Sequence, residues 1–207
     1  MKKNPSIPFV ALLLCACQVP YKDNAYLVAE KVIQATSSGS GCIYDTSTLE
    51  LTFGAFNPAG GGYTHGVVVE NRLQDNSSLA PGRVNTNDFQ IEYAVIDYEQ
   101  IDGPAVVLPE QTVPGNALIL TGSKGVTQLE LVPSAVATAI GGNTMKIRLL
   151  VQIYGRLLDG SRVKTNTYEY VVQADPAFTQ PAPACTAPQA PFYCEGAGNQ
   201  DSAVTCQ

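Results

Sequence analysis

Hydrophobic and polar residues alternate along this chain in short runs separated by turns rich in glycine and proline. A period of two is typical of β-strands that bury one face. The runs that we interpret as strands are residues 26–34, 48–53, 66–73, 89–100, 105–108, 117–120 and 127–132, followed by the two arms of a hairpin around Asp159-Gly160. A short helix is the alternative for 26–34, and a brief turn or helical segment is expected at 134–140.

The clearest local prediction is the hairpin centred on Asp159-Gly160. Asp-Gly between two alternating runs favours a two-residue type I′ turn, which would pair Leu158 with Ser161. The pairs that follow on the apolar face are Ile147 with Val172, Leu149 with Tyr170, Val151 with Tyr168, and Ile153 with Asn166. A one-residue slip would mix the two faces, so turn chemistry and hydrophobic pattern agree. We therefore expect Tyr168 and Tyr170 to face the core.

Seven or eight strands without helix-strand alternation indicate an all-β fold. The spacing resembles that of immunoglobulin-like domains, which implies an antiparallel β-sandwich, with a closed barrel as the alternative. Valine, threonine and tyrosine are frequent and tryptophan is absent. We place the sandwich domain at residues 25–174 and a tail rich in proline and cysteine at 175–207.

The first residues have the pattern of a secretory signal. Lys2 and Lys3 are followed by a short apolar stretch at 7–14, which is too short to cross about 30 Å of hydrocarbon. Leu14-Cys15-Ala16-Cys17 then resembles the lipobox of bacterial lipoproteins. That resemblance implies acylation of the Cys17 thiol, cleavage before it, and acylation of the new amino terminus. The alternative is an ordinary cleaved signal whose cysteines are incidental.

The resemblance also implies a location. Residues 1–16 would be the signal peptide, and residues 17–24 the lipid anchor and a short tether that reaches roughly 26 Å when fully extended. Two or more acyl chains, palmitate among them, anchor a protein stably. Gln18 follows Cys17 where aspartate would resemble an inner-membrane retention signal, so the outer membrane is expected.

Charge restricts the partners. Removal of residues 1–16 takes away two lysines and no acid, which leaves 10 basic and 18 acidic side chains and a net charge of −8. An acidic chain without a basic tract argues against nucleic acid as a partner. After Cys17 the sequence contains no apolar run long enough for a second membrane span. The predicted partners are the membrane, through the N-terminal lipid, and an envelope protein or polysaccharide.

Four cysteines remain outside the signal and the anchor, namely Cys42, Cys185, Cys194 and Cys206. An even number in an exported chain predicts two disulfides, with three possible connectivities. We favour Cys194–Cys206, which closes a local loop, and Cys42–Cys185, which ties the tail to the domain. A structural metal is the alternative, although the chain has no Cys-x-x-Cys spacing among these four.

Three features together resemble a group of uncharacterised bacterial surface lipoproteins. They are the lipobox, the stretches Val68-Val-Glu-Asn-Arg-Leu73 and Arg83-Val-Asn-Thr-Asn-Asp88, and the tail between Cys194 and Cys206. The resemblance covers most of the chain after Cys17. In that group the tail carries more cysteines in closer pairs, and no activity is established that could be carried over.

Candidate catalytic chemistry is sparse. His65 is the only histidine, it follows the Gly60-Gly-Gly62 turn, and the chain has no Gly-x-Ser-x-Gly motif, so a solvated loop histidine is predicted rather than a serine triad. Gly122-Ser-Lys-Gly125 is interpreted as a turn, because it lacks the ending of a phosphate-binding loop. No cofactor is predicted.

Two clusters of charge are candidates for binding. Asp97, Glu99 and Asp102, with Asp88, could gather around calcium, although a solvated acidic edge fits their spacing better. The predicted hairpin carries five of the ten mature basic residues: Lys146, Arg148, Arg156, Arg162 and Lys164. These could meet an anionic partner, or could protect an edge strand from pairing with another chain.

Two classes of function are consistent with this sequence. The first is a membrane-anchored envelope lipoprotein that acts as a non-catalytic structural or binding module. The second is a carboxylate-dependent hydrolase of envelope polysaccharide that uses two of Asp97, Glu99 and Asp102. Carboxyl groups that converge across a cleft would favour the hydrolase.

Overall fold

The computed structural model describes residues 21–23, 25–38, 41–77, 84–194, 200–202 and 204–207. The predicted signal, the lipobox and Cys17 lie outside these residues. The described strands are β1 Lys22–Asp23, β2 Leu27–Ile33, β3 Thr36–Ser38, β4 Gly41–Ile43, β5 Gly54–Phe56, β6 Tyr63–Asn71, β7 Phe89–Asp102, β8 Gln111–Ile119, β9 Lys124–Val132, β10 Met145–Leu157, β11 Arg162–Lys164, β12 Tyr168–Ala174, β13 Pro191–Tyr193 and β14 Val204–Cys206. A 3₁₀ helix spans Pro58–Gly60, and helix α1 spans Ser134–Ile140.

Two sheets form an antiparallel β-sandwich. In the larger sheet, β10 pairs with β7 on one side and with β11 and β12 on the other, and β8 pairs with the outer edge of β7. The smaller sheet has the order β2-β6-β9. Seven of the described strands have seven or more residues. Of these, β2, β6 and β9 form the smaller sheet, and β7, β8, β10 and β12 belong to the larger one. This is the predicted immunoglobulin-like arrangement.

Strand β10 shows why the two sheets pack together. Its side chains alternate, and the inward-facing Met145, Ile147, Leu149, Val151 and Ile153 are each at most 1% exposed. They pack against buried apolar residues of the smaller sheet, such as Val67 and Leu129. Because burial of one such side chain contributes about 1.5–3 kcal/mol, this alternating pattern fixes which face of the strand is inside.

The predicted pairing of the hairpin is confirmed in the part farthest from the turn. Ile147 lies opposite Val172 and Leu149 opposite Tyr170. Tyr170 is 2% exposed, and the half-buried Tyr168 packs against the core.

The predicted two-residue turn is wrong. Leu157 and Ser161 close a three-residue loop through a hydrogen bond from Leu157 N to Ser161 O of 3.0 Å, with Gly160 at φ +85°. A type I turn followed by one left-handed residue is the next most common hairpin geometry, and glycine suits that last position. The register near the turn is therefore shifted by one residue, so Tyr154 pairs with Lys164.

One extra residue between β11 and β12, within residues 165–167, restores the predicted register from Tyr168 onward. Asn166, which had been predicted opposite Ile153, instead reaches the other sheet: its Oδ1 accepts a hydrogen bond of 2.8 Å from Ala29 N. A bulge of one extra residue re-aims a side chain in this way.

The strand predicted at 48–53 is also wrong. Leu49 is 86% exposed and Phe53 is 42% exposed. Its backbone contacts with β2 are a bridge between Glu50 and Ile33 and a hydrogen bond from Leu51 N to Val32 O. Alternation alone does not make a strand where no partner strand continues the ladder, and β5 begins only at Gly54, beside β12.

Candidate functional site

The tail returns to the sandwich through residues 200–202, which we call the docked tail segment. Gln200 is 1% exposed, and its carboxamide bonds both backbone groups of Thr64: Oε1 accepts from Thr64 N at 2.9 Å, and Nε2 donates to Thr64 O at 3.0 Å. Asp201 bonds Ala55 in the same way, because its Oδ2 accepts from Ala55 N and its own N donates to Ala55 O, both at 3.0 Å. The segment thereby satisfies backbone groups of β5 and β6.

His65 lies under this segment. Its side chain is fully buried, and Nε2 is 3.1 Å from Asp201 Oδ1. The ring meets Tyr63 edge-on at 4.5 Å between centroids. Among the described residues, His65 Nδ1 has no hydrogen-bond partner.

Two tyrosine hydroxyls complete this buried cluster. Tyr63 Oη and Tyr170 Oη lie 3.0 Å apart and link the two sheets through the core. Burial raises the pKa of Tyr63 well above its ordinary value, and burial likewise raises the pKa of Tyr170. Both hydroxyls are therefore neutral and serve as hydrogen-bonding groups at physiological pH.

The prediction that His65 is a solvated loop residue is wrong. Strand β6 begins at Tyr63, three residues before the predicted start at Gly66, so His65 belongs to its inward face with Tyr63, Val67 and Val69. The same alternation, continued back through Thr64, could have found this. The proline- and glycine-rich neighbourhood hid the signal, because β6 starts directly after the turn.

All four predicted cysteines form disulfides, but the favoured pairing is wrong. Cys42 pairs with Cys194, and Cys185 pairs with Cys206. Strand pairing explains why: β13 and β14 set Cys206 opposite Pro191, three residues before Cys194. Three residues of strand span roughly 10 Å, whereas a disulfide needs Cα atoms within about 7 Å. Cys194 is therefore too far from Cys206 to pair with it.

The acidic candidates do not converge. Asp97 and Glu99 are exposed on the outer face of β7, and Glu99 is bonded by Arg148 Nη1 at 3.1 Å. Asp102 Oδ1 instead accepts from Gly103 N at 2.8 Å, and Asp88 Oδ1 accepts from Thr121 N at 2.8 Å. Within the described ranges, no three His, Cys, Asp or Glu side chains lie close enough to hold a metal ion. The proposed calcium ligands are thus distributed along β7 and the loop residue that precedes it.

Each basic residue of the hairpin contacts a nearby carboxylate or aromatic ring. Arg148 pairs with Glu99 and lies 3.7 Å from Glu169, while Arg156 Nε lies 2.8 Å from Glu92 Oε1. The other three lie over aromatic rings at 5.7–5.8 Å: Lys146 over Phe53, Arg162 over Tyr21 and Lys164 over Tyr154. The predicted basic surface is therefore a set of local pairs.

Three tyrosines cluster on the outer face of the larger sheet. Tyr93 and Tyr154 stack at 5.0 Å with an interplanar angle of 5°, and Tyr21 lies edge-on to both. Burial, and then the hydrogen bond to Tyr93, raises the pKa of Tyr21 to about 12. Tyr21 precedes β1, so the cluster fixes the start of the described chain to the sheet.

Beside this cluster is a shallow depression of about 190 Å³. Asp97 and Glu110 line it together with Gln152, Tyr154 and Thr167. Carboxylates, an amide and an aromatic ring are suited to hydroxyl-rich ligands such as sugars. This is the candidate ligand site on the sandwich. Of the sequence-predicted acids, only Asp97 takes part, and Glu110 was missed because it lies in the loop before β8.

Comparisons with models of known protein families, with curated proteins and with solved structures find no match to this chain. In the described part of the chain, no helix has the length and apolar character needed to cross a bilayer.

Proposed function

We propose that this chain is a lipid-anchored lipoprotein of the bacterial outer membrane, whose sandwich acts as a non-catalytic structural or binding module. The observation that carries the proposal is Leu14-Cys15-Ala16-Cys17, placed after a short apolar stretch and two lysines. Acylation at Cys17 would supply two or more chains, which is the number that stable anchoring requires.

The start of the described chain supports an anchor close to the domain. Tyr21 packs on the sheet and β1 pairs with β11, and three residues, 18–20, separate Cys17 from Tyr21 in the sequence. Four Cα steps reach roughly 13–14 Å, about half of the tether length expected for 17–24. The sandwich is then held against the membrane rather than at the end of a flexible linker.

The disulfides support an exported location. Cys42–Cys194 and Cys185–Cys206 use every cysteine after Cys17. Such bonds form and persist in oxidising compartments such as the bacterial periplasm.

The structural contacts of the candidate catalytic side chains support a module without catalysis. His65 holds Asp201 of the docked tail segment, and Glu99 pairs with Arg148. The depression at Asp97 and Glu110 is the proposed contact for an envelope polysaccharide or protein. The same two carboxylates favour the hydrolase as the second candidate.

Acylation can be tested directly. We expect mass spectrometry of the mature N-terminal peptide to find acylated Cys17, and the protein to sediment with membranes. Cys17→Ser should abolish both, whereas Cys15→Ser, its matched control in the signal, should change neither. An unmodified amino terminus upstream of Cys17 in soluble protein would refute the proposal.

A further inference from the structure

One end of the sandwich is built from loops that are bonded to one another. Leu158 N donates to Asp88 O at 3.2 Å, and Thr121 N donates to Asp88 Oδ1 at 2.8 Å. Asn71 N donates to Ser123 O at 2.9 Å. These contacts join the end of β6, the residue before β7, the β8–β9 turn and the tip of the β10–β11 hairpin. We call this surface the tether end.

The chain enters the domain at the tether end. Strand β1 runs parallel to β11, with Lys22 beside Val163 and Asp23 beside Lys164. Because Arg162 follows the hairpin tip directly, the N-terminal end of β1 points toward that tip. Arg162 accordingly lies over Tyr21, with its Cζ atom 5.7 Å from the centroid of the Tyr21 ring. The described chain therefore begins on this side of the molecule.

Three apolar side chains project from the tether end. Val84 is 74% exposed, Leu120 is 55% exposed and Leu158 is 52% exposed. The residues that follow Val84 and Leu120 in sequence are joined, since Asn85 Nδ2 donates to Thr121 Oγ1 at 2.8 Å. Single exposed apolar residues are ordinary on a protein surface, but these three lie together at the end where the chain leaves for its anchor.

Distance decides whether this end can reach lipid. The headgroup layer of a bilayer is about 5–8 Å thick on each side. Four Cα steps separate Tyr21 from Cys17, so the acylated residue lies at most roughly 13–14 Å from Tyr21. A tether of this length leaves the tip of the hairpin within reach of the headgroups.

Charge determines which contacts drive the approach. Arg72 pairs with Glu30 and Glu70, Lys124 pairs with Glu30, and Arg156 pairs with Glu92. Arg162, directly after the hairpin tip, lies over the Tyr21 ring. Because these cations are engaged within the protein, apolar contacts rather than headgroup charge would hold the surface.

We propose that the tether end, through Val84, Leu120 and Leu158, is seated in the headgroup layer of the membrane that holds the acyl chains. The proposal rests on the lipid anchor of the proposed function. It fixes the orientation of the domain: the membrane lies at the tether end, and the far ends of β7 and β10 point away from it. Strand β7 alone, with 14 residues, separates the two ends by about 43 Å.

The absence of tryptophan from the sequence allows a clean test. Leu158→Trp in the acylated full-length protein places a single reporter at the tether end, and Leu120→Trp provides a second. Val107→Trp is the matched control, because Val107 is 89% exposed between β7 and β8 at the opposite end. Each protein is reconstituted in phosphatidylcholine vesicles with and without brominated acyl chains, after its thermal unfolding has been compared with that of the wild type.

We expect brominated lipid to reduce the tryptophan emission of the Leu158→Trp and Leu120→Trp proteins about twofold, because apolar side chains at an interface lie about 5–10 Å deep. The emission of the Val107→Trp protein should not change, and high salt should not reverse the quenching. Unquenched reporters at the tether end in protein acylated at Cys17 would overturn the docking and leave the lipoprotein proposal intact. Absence of the acyl chains would overturn both.

Discussion

His65 Nε2 and Asp201 Oδ1 lie 3.1 Å apart and join a core strand to a residue 136 positions later in the chain. The contact connects the sandwich with the tail, whose described strands are the short β13 and β14. It also gives the buried histidine a partner for one of its two ring nitrogens, Nε2.

Removal of this contact should weaken the domain. Asp201→Ala would leave His65 Nε2 and Ala55 N without their acceptor, so we expect a loss of about 2–3 kcal/mol in the free energy of unfolding. Urea denaturation with intact disulfides measures it. Glu110→Ala, which removes an exposed acid, is the control and should change stability by less than about 0.5 kcal/mol. Equal losses for the two variants would show that the tail contact is not stabilising.

The two disulfides should contribute unequally. Cys42–Cys194 spans 152 positions and Cys185–Cys206 spans 21. By the chain-entropy relation, removal of the first pair as a double serine variant should cost about 5 kcal/mol and removal of the second about 3 kcal/mol. Denaturation of each variant measures the difference. Nonreducing peptide mapping should first link Cys42 to Cys194, and a peptide that joins Cys194 to Cys206 would contradict the structure.

Local pattern predicted the interior of the sandwich but not its connections. The alternation along β10 is enough to place Ile147 and Leu149 inside, since each strand has only two faces. The turn after Leu157 was mispredicted because Asp-Gly is compatible with two loop lengths, and the bulge at Asn166 compensates for the difference.

The candidate site depended on contacts that no local pattern encodes. Gln200 and Asp201 come from a segment without strand periodicity, and their partners are backbone groups of Thr64 and Ala55. Disulfide pairing was mispredicted for a similar reason, since it follows from the short β13–β14 ladder. Long-range pairing of this kind is decided by tertiary packing.

Gly155 tests the register between the two longest strands. A Cβ at this position would lie 2.1 Å from Gln90 O and 2.7 Å from Phe89 Cε2. Gly155→Ala should therefore destabilise the domain by about 3 kcal/mol, the upper part of the usual range for overpacking. Gly142→Ala is the matched control, because a Cβ there would meet no heavy atom within 4 Å. A tolerated alanine at 155 would place β7 and β10 in another register.

Alkaline pH should unfold the protein through its buried tyrosines. Burial, and then the nearby charge of Glu50, raises the pKa of Tyr168 from 10.0 to about 12, and Tyr21 is raised to about 12 as well. A folded pKa above the unfolded value means that the folded state holds these protons more tightly. The resulting stability is complete below pH 10 and is lost as the pH rises toward 12.

Two measurements check this expectation. Tyrosinate absorbance should show that a subset of tyrosines ionises late, and the urea midpoint should fall steadily above pH 10. The double variant Tyr21→Phe, Tyr168→Phe should show a shallower fall, because neither ring can then ionise in the unfolded chain. Ionisation of all tyrosines near pH 10 in a protein that stays folded would contradict the burial of these side chains.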